Sequence, residues 1–319
     1  MRCFNCLILT LQLLVVIFMN SVSVFAQQNV VGIEFKSSNT NINKGIVDFL
    51  PLSNKSKISK GHKPPLPFGV GFSSFVYQQP YETEDLKIKG QTAFGQDIIA
   101  VGDSVVQNTT AGELKAWFTP NIWLLPCLNV YGIFGYTSGQ INPDLFVDGI
   151  IIEDLPGIGD FYIDTTYQLS DQITYHGSTF GIGATLSFSI KNIIVFLDYH
   201  YTVTNPSELE GKLHNHFASP KFGYMFKSKN DNIQFIAWTG ALYFQNDQTF
   251  KGEITVEEIA PDLVPLFGEI AEYSGTIKAK HHWNVLLGTS IIVKKHHAIF
   301  IEFGFINRTQ ASLGYNFMF

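Results

Sequence analysis

From Leu66 onward the chain runs in segments of about ten residues in which apolar side chains alternate with polar or small ones. A period of two sends successive side chains to opposite faces of an extended strand, so each segment predicts a β-strand with one apolar and one polar face. Segment 192–204 is the clearest: Ile193, Val195, Leu197, Tyr199, Tyr201 and Val203 share one face, while Asp198, His200, Thr202 and Thr204 share the other. In 174–190, Phe180, Ile182, Ala184, Leu186, Phe188 and Ile190 oppose Thr179, Gly181, Gly183, Thr185, Ser187 and Ser189. That polar face is small enough to line a narrow barrel. The same alternation predicts strands at 66–77, 111–118, 127–137, 213–226, 232–245, 281–293, 297–307 and 310–319.

The connections alternate as well. Those at 119–126, Lys191 with Asn192, 227–231 and 294–296 are short, whereas 78–110, 138–173 and 246–280 are long. Short turns on one side and long loops on the other are the habit of a membrane barrel. The expected fold is therefore all-β: an antiparallel up-and-down transmembrane β-barrel of 10 to 12 strands with long extracellular loops. The upper count arises because 144–152 and 160–167 also carry β-branched and aromatic residues. The spacing of Ile259, Leu263, Leu266 and Ile270 predicts a short helix inside a loop.

Composition supports strands over helices as the membrane-crossing element. The chain is 45% hydrophobic and 14% aromatic, yet after its first 26 residues it has no apolar run long enough for a spanning helix. Those residues, with Arg2 ahead of an apolar core from Leu7 to Met19 and an end at Val24, Phe25 and Ala26, read as a signal peptide cleaved after Ala26. Residues 27–65 are a polar tail closing on Pro64 and Pro65, and 66–319 form the barrel. Cys3 and Cys6 leave with the signal peptide, so Cys127 stands alone and no intrachain disulfide is expected. A net charge of -6 with only 15% charged residues gives no footprint for nucleic acid.

The last ten residues place Ala311, Leu313, Tyr315, Phe317 and Phe319 on one face and Ser312, Gly314, Asn316 and Met318 on the other. This resembles the C-terminal β-signal of bacterial outer-membrane β-barrel proteins. The resemblance implies a Gram-negative outer-membrane location, contact with outer-membrane lipid, and recognition of Leu313, Tyr315, Phe317 and Phe319 by the barrel-assembly machinery. The runs from Pro64 and Leu125 and the segment Ile236 to Tyr243 also resemble an uncharacterised transporter-like group of such barrels. Fold resemblance of this kind leaves activity open.

Strand phase points Glu113, Lys115, Trp117, Asn129, Tyr131, Asp198, His200, Lys221, Glu302 and Arg308 into the lumen. Both charge signs occur, which suits either a polar path for a small solute or an interior filled by hydrogen-bonded side chains. Asp198 and His200 have the spacing of the Asp-x-His pair of omptin proteases, although the paired acidic motif of that family has only Glu82 and Glu84 to match it. On the outward face, His176 and Ser178 with Asn205 resemble the histidine, serine and amide of outer-membrane phospholipase. His214 with His216, and His282 with Asn284, form pairs where a metal needs three or four ligands. Neither a metal nor a cofactor is expected. The function expected is an outer-membrane porin or transporter-like channel for a small solute or ligand. A barrel-embedded hydrolase and a structural or adhesive barrel remain as alternatives.

Overall fold

The computed structural model describes residues 65–319 apart from 92–96, 108, 144, 156–158, 170–171, 208, 210, 229–231, 260–263 and 265–267. The expected signal peptide and the polar tail up to residue 64 lie outside the described residues. The strands, in chain order, are β1 (Phe68–Gln91), β2 (Asp97–Gln107), β3 (Thr110–Leu125), β4 (Leu128–Asn142), β5 (Leu145–Leu155), β6 (Gly159–Leu169) and β7 (Ile173–Ile190). They continue as β8 (Ile193–Pro206), β9 (Leu213–Lys227), β10 (Ile233–Thr255), β11 (Ile270–Ala279), β12 (Trp283–Val293), β13 (His297–Phe305) and β14 (Thr309–Met318). One helical turn, α1 (Val256–Ile259), follows β10.

Ten of these strands form a closed antiparallel wall in the order β1, β3, β4, β7, β8, β9, β10, β12, β13, β14, with β14 returning to β1. Every wall strand pairs with the next wall strand along the chain, which is the up-and-down topology that the short turns impose. Closure runs from Gly69 opposite Met318 to Gln78 opposite Thr309. At its lower end the Phe68 amide donates to the Phe319 carbonyl at 3.2 Å and the Phe319 amide returns a bond to Phe68 at 2.8 Å. No wall strand is left with an unpaired edge.

The wall is a ten-stranded one, and the additional strands lie elsewhere. β1 and β10 have 24 and 23 residues and run on beyond the barrel. There β11 bridges them, pairing with Tyr81–Lys89 of β1 and with Gln248–Thr255 of β10. β2 then pairs with β1, β5 with β2, and β6 with β5. β5 and β6 thus occupy the loop positions that could have made a twelve-strand barrel, but they extend an outer sheet at the long-loop end. One further expectation changes in detail. β3 pairs with β4 as far as Leu125 opposite Leu128, so the connection expected at 119–126 shrinks to Pro126 and Cys127. The helix expected from Ile259 to Ile270 falls mostly outside the described residues, and the helical turn α1 that is described ends at Ile259.

The two faces of the wall divide as the alternation requires. Phe72, Phe134, Phe180, Ile182, Phe222 and Leu287 point outward and are roughly half exposed, whereas inward positions are buried, polar or glycine. Beyond Pro80 the outward face turns charged: Glu84 pairs with Lys278, and Lys280 lies 3.6 Å from Glu82. The barrel is therefore apolar outside where it is closed and polar outside where the outer sheet takes over. Inward glycines receive aromatic rings from neighbouring strands: a side chain at Gly183 would collide with Tyr131, and one at Gly288 with Trp238.

Candidate functional site

The structure places Glu113, Lys115, Trp117, Asn129, Tyr131, Asp198, His200, Lys221, Glu302 and Arg308 in the barrel interior, where they fall into three layers. The layer next to the outer sheet is a buried polar network. Glu113 forms an ion pair with Lys115, both side chains being at most 1% exposed. Its carboxylate also accepts hydrogen bonds from Tyr77 at 2.8 Å, Tyr175 at 2.5 Å and Gln248 at 3.4 Å. Asn246 donates to the Tyr77 hydroxyl at 3.1 Å. Arg308 donates through Nε to Gln310 at 2.7 Å and through Nη1 to Gln79 at 2.8 Å, with its guanidinium over the ring of Phe244. Burial without such bonds would cost each of these groups heavily.

The middle layer is aromatic. Phe75, Tyr77, Phe217, Leu242, Phe244 and Leu286 form one buried cluster, with Trp117 packed against it. Phe217 lies on Phe244 with centroids 4.6 Å apart and stands edge-on to Phe75 at 5.9 Å. β1 and β9 are five strands apart in either direction round the wall. The Phe75–Phe217 contact therefore spans the full width of the lumen.

The layer toward the short turns holds two ion pairs. His200 Nδ1 lies 3.1 Å from Asp198, whose other oxygen accepts from Tyr131 at 2.9 Å and Thr185 at 2.5 Å. The His200 ring stacks on Phe217 at 4.3 Å. Lys221 lies 2.6 Å from Glu302, which also accepts from the Trp238 indole at 2.8 Å. Asn129 donates to Asn121, and Asn121 to Asn316, in a short amide chain below. Asp198 and Lys221 keep 22% and 20% of their side chains accessible.

These contacts decide what the candidate chemistry can do. At the Asp198–His200 pair the neighbouring hydroxyls of Thr185 and Tyr131 meet the carboxylate and Nδ1, and Nε2 is buried without a hydrogen-bond partner. Among the described residues no hydroxyl lies within hydrogen-bond distance of Nε2. Glu82 and Glu84 lie on the outer sheet and pair with lysines there, not with the lumenal dyad. On the outward face, register sets Ser178 opposite Asn205, and the His176 ring lies 5.9 Å from that of Tyr136. His214 and His216 are engaged by Tyr201 and Tyr199, and among the described residues no three metal-ligating side chains converge.

Several interior partners escape the sequence reading. Gln79 and Gln248 lie past the strand ends expected at 77 and 245, while Tyr77, Tyr175, Trp238 and Gln310 sit inside expected strands at inward phase. For the latter the period of two was the available signal. What it cannot supply is which inward residue meets which across the lumen.

No family model and no curated protein matches the chain. Among solved structures it is similar to the β domain of the Bordetella autotransporter BrkA, at 10% identity over 80% of this chain and 100% of that one, with a TM-score of 0.32. It is similar to an outer membrane channel from Pseudomonas putida F1, at 10% identity over 81% and 98% with a TM-score of 0.31. It is likewise similar to the translocator domain of the autotransporter NalP from Neisseria meningitidis, at 11% identity over 82% and 92% with a TM-score of 0.31.

Proposed function

We propose that this protein is a bacterial outer-membrane β-barrel whose lumen is sealed, and that it anchors and presents the outer sheet as a binding platform. Membrane residence rests on the outward belt of half-exposed Phe72, Phe180, Ile182 and Phe222 around a wall with no free edge. Water would leave that belt unburied; lipid covers it. Tyr199, Tyr201, His214 and His216 toward the long loops, and Phe68, Phe317 and Phe319 at the short-turn end, fit the aromatic girdles of the two interfaces. In this reading Leu313, Tyr315, Phe317 and Phe319 are the strand that the assembly machinery reads.

The observation that carries the seal is the Phe75–Phe217 contact between opposite strands, with Phe244, Leu242 and Leu286 filling the same level. Purified protein in planar bilayers is expected to be electrically silent at high loading; steady open currents would overturn the seal. Heat-dependent gel migration in detergent tests the barrel itself, and migration unchanged by heating counts against it.

The channel reading has one observation in its favour. Thr202, Asn215 and Gln248 carry buried polar atoms without a hydrogen-bond partner, and buried polar atoms of this kind are commonly satisfied by water. A hydrated track past the aromatic layer would serve a small solute. The same bilayer recording separates the two.

A further inference from the structure

Arg308 is 2% exposed, and Gln79 and Gln310 beside it are 3% and 4% exposed. The guanidinium gives Nε and Nη1 to the two glutamine carbonyls and lies over the rings of Phe244 and Tyr77, at 5.0 and 5.9 Å from their centroids. No carboxylate is among its hydrogen-bond or ion-pair partners within the described residues. Glu113, the acidic member of the same layer, is matched by Lys115. A guanidinium does not shed its proton at ordinary pH, so the excess positive charge stays. A buried ion without a counter-charge is strongly disfavoured.

The hydrogen-bond donors around that charge are also unmatched. Arg308 Nη2 and Gln310 Nε2 are buried with no hydrogen-bond partner, while Gln79, whose Oε1 accepts from Arg308, turns its amino group toward the Tyr81 hydroxyl. Their orientation is fixed by their neighbours. Gln310 Oε1 accepts both from Arg308 Nε at 2.7 Å and from Asn284 Nδ2 at 3.2 Å, which turns its amino group away. Asn284 also donates to the Arg308 carbonyl at 2.6 Å and accepts from the Asn307 amide at 3.3 Å, pinning the turn that carries Arg308. The surplus cation and two preset donor groups, Arg308 Nη2 and Gln310 Nε2, lack an acceptor.

We propose that Arg308 and Gln310 bind a small monovalent anion, either a free halide or the carboxylate of a ligand, above the aromatic layer at the long-loop end. One negative charge balances the layer, whereas a dianion would reverse its sign. Water alone could satisfy the N–H groups but would leave the guanidinium unmatched. The site stands on its own contacts: bilayer currents would overturn the seal and leave the anion titration unchanged.

The test uses the full barrel in detergent, heated in chloride, bromide or formate against bulky gluconate at equal ionic strength. The temperature at which the compact gel form is lost is expected to rise with chloride, bromide or formate over gluconate. A response to halides alone assigns a free ion, and a response to formate alone assigns a ligand carboxylate. Arg308→Met is expected to flatten the dependence. Gln310→Glu, which supplies a built-in carboxylate, is expected to flatten it while keeping the transition high, an outcome that a purely structural arginine would not produce. If Arg308→Met does not assemble, the wild-type series and Gln310→Glu still decide. Equal transitions in all four salts, together with no anomalous bromide density beside Arg308 in crystals, would overturn the proposal.

Discussion

Phe75 and Phe217 touch edge to face, 5.9 Å between centroids, although their strands stand opposite each other in the ten-stranded wall. A contact across the full diameter sets an aromatic level between the part of the lumen beneath the outer sheet and the part toward the short turns. Phe217 is its keystone, because it also stacks on Phe244 and His200. Phe217→Ala is expected to cost about 3–5 kcal/mol, the usual range for emptying a buried aromatic site. It should also turn a silent barrel into a conducting one. Urea titration reads the first effect and single-channel recording the second; an equally silent variant would mean that other side chains suffice to close the pore.

A second prediction concerns the rings laid over glycines. Gly183 has no room for a side chain because Tyr131 from β4 covers it. Gly183→Ala is expected to displace Tyr131 from Asp198 and to lower stability by about 1–3 kcal/mol, as overpacking does. If the ring is the obstacle, adding Tyr131→Ala should make the pair less damaging than the sum of the two changes. A double-mutant cycle by denaturant titration measures that coupling, and strict additivity would refute the contact.

How much of this was legible beforehand differs between wall and outer sheet. Wall strands such as β7 and β8 announce themselves because outward, half-exposed Phe180 and Leu197 alternate with lumenal Thr179 and Asp198. The outer sheet carries exposed ion pairs on its outward face, so Glu82, Glu84, Lys278 and Lys280 read as loop, and the first strand reads as ending at Tyr77. β1 in fact continues through Pro80 to Gln91. For the interior, phase alone directs Glu113 and Asp198 inward. The gathering of Tyr77 from β1, Tyr175 from β7 and Gln248 from β10 on one carboxylate needs barrel closure, which no local pattern encodes.

The closing strand offers a third prediction. Phe319 exchanges backbone hydrogen bonds with Phe68 and stacks on Phe68 and Phe317, at 6.2 and 6.0 Å. Phe319→Ala removes the ring and keeps the backbone bonds. If the terminal aromatic is read during assembly, the variant should give much less heat-modifiable protein in membranes, while the fraction that assembles melts nearly as wild type. A variant that assembles at full yield but melts early would assign Phe319 a packing role instead.

The Glu113–Lys115 pair carries the last prediction. Both side chains are buried, and the carboxylate has three further donors. Glu113→Gln leaves the Lys115 charge buried and unmatched, so a loss of about 3–5 kcal/mol is expected. Replacing both as Glu113→Gln with Lys115→Met removes the stranded charge and should recover most of that loss, because the amide oxygen still accepts from one of Tyr77 and Tyr175 while its amino group donates to the hydroxyl of the other. Denaturant titration of the single and double variants decides between the two sources of stability. Recovery means that charge balance dominates this layer. A double variant as weak as the single one would mean that the lysine stem and its packing, rather than its charge, hold this level of the barrel together.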